Sequence, residues 1–86
     1  MDLGRLIAST CRQRILEALS EVRQTHITDL VRRINSTYGQ VNRNLLILEH
    51  EGIVNIQYYS RLRMIKLNRK NPKTLTLLKV LKLLKG

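Results

Sequence analysis

A chain of 86 residues has room for one domain, whose core is by itself only marginally stabilising. Its 16 Lys and Arg against 6 Asp and Glu leave a net charge of +10, enough to attract polyanions, while three Tyr with no Phe or Trp disfavour single-strand binding by base stacking and point to a duplex. A single Cys cannot close an internal disulfide, and neither an apolar leader nor a run near the ~20 residues of a membrane span is present, so a cytoplasmic protein with no membrane partner is expected.

From Asp2 to Val22, Ala8, Cys11, Ile15, Leu19 and Val22 recur at three- and four-residue spacing, which predicts one amphipathic helix. Leu3, Leu6 and Ile7 add apolar surface at its start, more than one stripe needs, and so suggest a contact with a partner. Arg23 to His26 is a polar connection, after which the Thr28 hydroxyl is expected to cap a short helix from Asp29 through Leu30, Val31 and Ile34. Ser36 or Thr37 can cap a third helix over 36–51, with Val41, Leu45 and Leu48 on one face and Gly52 as its left-handed stop. Two helices joined by so short a polar turn form a helix-turn-helix.

Beyond Gly52 the period shortens to two. Val54, Ile56 and Tyr58, then Arg63, Ile65 and Leu67, alternate with polar neighbours and predict a β-hairpin over 54–67. Its tip, Ser60-Arg61, lacks the Gly or Asn of a tight primed turn, so a longer loop is expected. Asn71-Pro72 breaks the chain before a last helix from about Lys73 to Lys85, rich in leucine. The reading is a mainly α fold with a small β-hairpin (α+β): a winged helix-turn-helix in 1–71 with an added C-terminal helix in 72–86.

The run Asn35-Ser-Thr-Tyr-Gly-Gln-Val-Asn-Arg-Asn-Leu-Leu-Ile-Leu-Glu-His-Glu-Gly-Ile-Val54 resembles the recognition helix and first wing strand of small archaeal winged helix-turn-helix DNA-binding proteins, notably dimeric chromatin-type members. The likeness covers roughly residues 12–67 and implies double-stranded DNA and a second copy of the chain as partners. It departs at Leu46 and Ile47, apolar where many relatives carry lysine, and in the short C-terminal helix.

The residues carry their own argument for the site. With Val41 inward, steps of about 100° turn Gly39, Gln40 and Arg43 outward, where Arg43 suits guanine and Gln40 suits adenine. Asn42 or Asn44 would reach a phosphate or a flanking base, and Thr37 and Tyr38 flank the helix start. Gly39 costs about 1 kcal/mol in a helix against Ala, which a close approach of DNA to the backbone would explain. Arg61 and Arg63 on the wing are expected along the backbone or minor groove, where the potential is negative. They open the acid-free stretch 61–86, whose other basic residues are Lys66, Arg69, Lys70, Lys73, Lys79, Lys82 and Lys85.

Leu77, Val80, Leu81 and Leu84 make the last helix a dimerisation element, since leucine occupies more of its circumference than one small domain would cover. That breadth suits burial between subunits better than a membrane surface. Cys11, on the apolar stripe, reads as a small hydrophobe. His26 and His50 do not fall at ligand spacing with Cys11, so no metal, cofactor or small-molecule effector is implied. No phosphate-cradling glycine loop and no nucleophile beside a base is present, so no catalytic residues are assigned and an enzyme is not expected. The alternative is a winged-helix protein-protein interaction module without DNA binding, kept open because Arg43 is the sole basic residue in the third helix.

Overall fold

The helix expected from Asp2 to Val22 is two helices in the computed structural model, which describes residues 1–85. Gly86, the end of the predicted segment 72–86, lies outside the described residues. Helix α1 (Leu3–Ile7) starts at Asp2, whose Oδ1 accepts from the Arg5 amide at 2.8 Å, and α2 (Thr10–Ser20) starts at Ser9, whose hydroxyl accepts from the Arg12 amide at 3.2 Å. An unbroken helix would hand the carbonyls of Arg5, Leu6 and Ile7 to the amides of residues 9–11. Side chains take them instead: Arg12 donates to Leu6 O at 2.9 Å and to Arg5 O at 2.8 Å, and Gln13 donates to Ile7 O. The break leaves Ala8 exposed and turns Leu16 into the core with Ile15, Ala18 and Leu19.

Strand β1 (Thr25–His26) pairs with Ile65 and Met64, and α3 (Ile27–Ile34) follows at once, two residues earlier than expected. Thr28 therefore sits inside the first turn and is not the cap; His26 is, without a side-chain bond. Thr25 donates its hydroxyl to Asp29 Oδ2 at 2.7 Å, and this, with Arg33 at 3.3 Å, holds the Asp29 carboxyl below its ordinary 3.8. Asn35, left-handed at φ 53°, ends α3.

Helix α4 (Tyr38–His50) is capped by Thr37, not Ser36: the Gln40 amide donates to Thr37 Oγ1 at 3.2 Å. At its other end Gly52 takes φ +76°, and the amides of Gly52 and Ile53 return to the carbonyls of Glu49 and Leu48 at 3.0 and 2.8 Å. A Cβ there would meet Asn71 Nδ2 at 3.0 Å, so Gly52 is required by conformation and by space.

Strands β2 (Val54–Tyr59) and β3 (Leu62–Leu67) form the hairpin, and the antiparallel sheet runs β1-β3-β2. The turn is tighter than expected. Tyr59 pairs with Leu62, so Ser60 and Arg61 alone make the connection, and Ser60 adopts φ 56° in place of the missing glycine.

Helix α5 (Pro72–Lys85) is capped by Asn71, whose Oδ1 accepts from the Lys73 amide at 3.0 Å while its Nδ2 donates to Gly52 O at 3.0 Å. One side chain thus ties the end of α4 to the start of α5. Leu77 and Leu81, expected on a dimer surface, are buried in the chain's own core with Leu6, Leu30, Leu45 and Ile65, and the buried Thr74 donates to Ile53 O. The segment after Pro72 therefore shares one core with the rest. The architecture is a winged helix-turn-helix, α3-turn-α4 with a β2-β3 wing, closed by a C-terminal helix.

Candidate nucleic-acid interface

Val41, Leu45 and Leu48 anchor α4 in the core, and the helical step then fixes what the opposite face shows. Gly39, Gln40 and Arg43 are exposed there, with Thr37 exposed at the cap and Tyr38 half exposed beside it. A Cβ on Gly39 would find no atom within 4 Å, so the fold itself gives no reason for glycine at that position.

The two asparagines flanking Arg43 separate. Asn44 faces α2: its Oδ1 accepts from Arg12 Nη1 and its Nδ2 donates to Gln40 O, both at 2.8 Å, so it clamps the α1-α2 junction to α4 and is spent inside the fold. Asn42 faces the wing, where its Oδ1 accepts from Arg63 Nη1 at 2.7 Å.

Arg63 reaches α4 because of strand register. Residues paired across the hairpin share a face, so Arg63 lies with Tyr58, Ile56 and Ile65 on the inner side of the sheet, past the point where the core ends. Its guanidinium donates also to the Tyr38 hydroxyl, and its Cζ stands 5.6 Å from the centre of the Tyr38 ring. Arg63 is thus bound to α4 within the chain, whereas Arg61 at the tip is exposed.

Two features of this face escape sequence reasoning. Tyr58, Tyr59 and Leu62 stand 61, 55 and 54 % exposed around the wing tip; alternation assigns each a face but does not mark where the core stops. Arg12 organises the base of α4 through Asn44, and no local motif announces a bond across 32 residues.

The electrostatics favour an anion here. No acidic residue occurs between Asp29 and Glu49 or after Glu51, and among the described residues the ion pairs lie elsewhere: Arg33 with Asp29 and Glu21, Met1 and Lys73 with Glu51, Lys85 with Glu17. Arg43, Arg61 and Arg63 carry charge that no neighbouring carboxylate offsets. Among the described residues no three of His, Cys, Asp and Glu gather as a metal site, and no helix is long and apolar enough to cross a membrane. Cys11 is half-buried against the core.

Neither a protein-family model nor a curated protein sequence matches the chain. Solved structures do. HlyU from Vibrio cholerae N16961 superposes with a TM-score of 0.80 at 18% identity, covering 98% of this chain and 89% of that one. The AntR antimony-specific transcriptional repressor gives 0.79 at 21% identity over 94% of this chain and 68% of its own. A homodimeric winged helix-turn-helix DNA-binding domain from Mycobacterium bovis, described as a possible ArsR-family regulator, gives 0.72 at 14% identity over 96% and 71%. At these identities the likeness establishes the winged-helix fold.

Proposed function

We propose that this protein binds double-stranded DNA with sequence preference as a homodimeric transcriptional regulator, placing α4 in the major groove and the wing on the adjacent backbone or minor groove. One observation carries the reading: α4 turns Thr37, Gly39, Gln40 and Arg43 to solvent on a surface free of carboxylates, beside a wing that holds Arg61 and Arg63. A helix of this width fits the major groove, and its polar side chains near the N-terminus meet base edges there. The fold neighbours are described as transcriptional regulators and repressors, which supports the same use. The archaeal chromatin-type resemblance concerns the same helix and wing. It adds no catalytic role, and binding needs no cofactor, effector or membrane; the place of action is the cytoplasm.

Dimerisation rests on α5. Past Leu77 and Leu81, which point inward, Leu83 and Leu84 at the end of the helix are 80 and 64 % exposed, with Val80 half-buried beside them. Leu3 and Ile7 of α1, half-buried, extend the apolar surface at the neighbouring helix.

A salt titration of duplex binding tests the DNA reading. A dimer that neutralises about six to ten phosphates should lose on the order of 10³–10⁵ in affinity between about 50 and 200 mM salt. A flat response, or no duplex binding at low salt, would refute it and favour a protein partner.

A further inference from the structure

We infer that the recess at the base of the wing is a second anion site, which takes the phosphate groups of a multiply charged, small phosphorylated ligand. The inference goes beyond the duplex-binding reading, which needs no effector, and stands without it.

Three separate segments supply the cations of the recess, which is why no local motif announces it: Arg23 comes from the link between α2 and β1, Lys66 from β3, and Arg69 and Lys70 from the loop that leads to α5. All four are exposed, and among the described residues none of them forms an ion pair. Glu17 and Glu21, which line a neighbouring recess that shares Arg69, are engaged by Lys85 at 3.1 Å and by Arg33 at 3.8 Å. Four cations thus border one space of about 380 Å³ that, among the described residues, no carboxylate lines. Like charges so placed repel until an anion offsets them.

The walls are set before any ligand arrives. The Asn68 amide donates to Ile53 O at 2.8 Å and its Nδ2 to Gly52 O at 2.9 Å, while its Oδ1 accepts from the Lys70 amide at 3.3 Å. The loop that carries Arg69 and Lys70 is therefore tied to the junction of α4 and β2, which lowers the ordering cost of binding. Lys66 and its cross-strand partner Asn55 share the outer face of the hairpin, opposite to the face on which Arg63 reaches α4. Arg61 and Lys66 are separated by roughly 16 Å of strand, so the recess lies apart from the proposed DNA surface.

Shape and chemistry select the ligand. Half-buried Val22, over the buried Leu19 and Leu67, gives the recess an apolar floor beneath its cationic rim. Guanidinium groups hold phosphate oxygens by paired hydrogen bonds. Small-molecule sites occupy about 300–1,000 Å³, and a hollow of that size admits a compact anion, whereas a stiff duplex rides over it. The phosphates meet the rim and the rest of the molecule meets the floor.

Inorganic pyrophosphate is the probe, titrated into the full-length protein at low salt and followed by amide NMR. Wild type should show saturating shifts at Arg23, Lys66, Arg69 and Lys70. Arg69→Ser with Lys70→Ser should weaken the response of Arg23 and Lys66 on the order of tenfold or more. Arg23→Ser with Lys66→Ser should do the same to Arg69 and Lys70, so that misfolding of one variant leaves the other to decide. Arg32→Ser with Lys79→Ser removes equal charge from exposed positions outside the recess and should leave the response within about twofold of wild type. Equal weakening in that control, or unsaturating shifts spread over every basic residue, would overturn the inference and leave a diffuse counter-ion atmosphere. A recess variant that keeps pyrophosphate but loses affinity for duplexes of any sequence would overturn it too, and would assign these cations to a DNA backbone.

Discussion

At the scale of the residue, the proposed mode of binding divides α4 by position into side chains that would meet DNA and side chains that build the fold. Arg43 points outward with no hydrogen-bond or ion-pair partner among the described residues, so Arg43→Ala should leave the melting temperature unchanged while costing about 1–3 kcal/mol on the best duplex and flattening sequence preference. Asn44, one residue on, should do the reverse. Its loss leaves Arg12 Nη1 without its acceptor, while the Gln40 carbonyl keeps its helical bond from the backbone amide of residue 44, and Asn44→Ala should lower stability by about 1–2 kcal/mol in chemical denaturation while base preference stays as in wild type. A changed preference without loss of stability would place Asn44 at the DNA after all. The outward set Gly39, Gln40 and Arg43 was legible in the sequence because a helix rotates by a fixed step from its buried stripe. Asn42 and Asn44 were not separable that way. They sit on opposite flanks of the same face, and only the partners that α2 and the wing bring up tell them apart.

At the scale of the element, Gly39 and Thr25 make opposite kinds of prediction. Alanine is the better helix former and its Cβ would enter open space, so Gly39→Ala should stabilise the free protein by up to about 1 kcal/mol. If the backbone of α4 lies against DNA, the same change should weaken duplex binding. Thermal melts and binding isotherms of one variant therefore separate the fold's need for glycine from the ligand's, and unchanged affinity would remove Gly39 from the interface. The Thr25 hydroxyl stabilises the ionised form of Asp29, where β1 meets α3. A lowered carboxyl pKa contributes stability that is present at neutral pH and disappears as the pH falls through that value, below 3.8. Thr25→Val should thus be less stable than wild type at pH 7, with the difference shrinking on acidification. Element order was legible from the change in period at Gly52, but the helix break at Ser9 and the two-residue turn at Ser60 were not. In both places tertiary contacts override the local pattern: Arg12 and Gln13 take the carbonyls of α1, and strand pairing at Tyr59 and Leu62 holds Ser60 at positive φ.

At the scale of the whole molecule the decisive question is what covers the outer side of α5. The leucine count there announced a surplus of apolar surface, but assigning each leucine required knowing which side the domain itself occupies. Leu77 and Leu81 close the core, Leu78 packs half-buried against it, and past them Leu83 and Leu84 stand exposed at the end of the helix beside the half-buried Val80. Each leucine that a partner buries stabilises by roughly 1.5–3 kcal/mol, and a two-fold axis at α5 doubles the count by presenting the same residues from the second copy. Deleting α5 would be an ambiguous experiment, because it removes Leu77 and Leu81 from the core together with the outer face. Leu83→Ser combined with Leu84→Ser is the sharper one, since both side chains are more exposed than buried in the single chain. Light scattering should give a dimer mass for wild type and a monomer mass for the variant at the same tens-of-micromolar concentration. Circular dichroism of the variant should keep the helical signal. Binding to a palindrome with half-sites roughly 34 Å apart should fall toward that of a single half-site, because the two copies of α4 are no longer linked. A variant that stays dimeric would move the interface off these residues, and a wild type that is monomeric at that concentration would remove the two-fold arrangement from the proposed mode of binding.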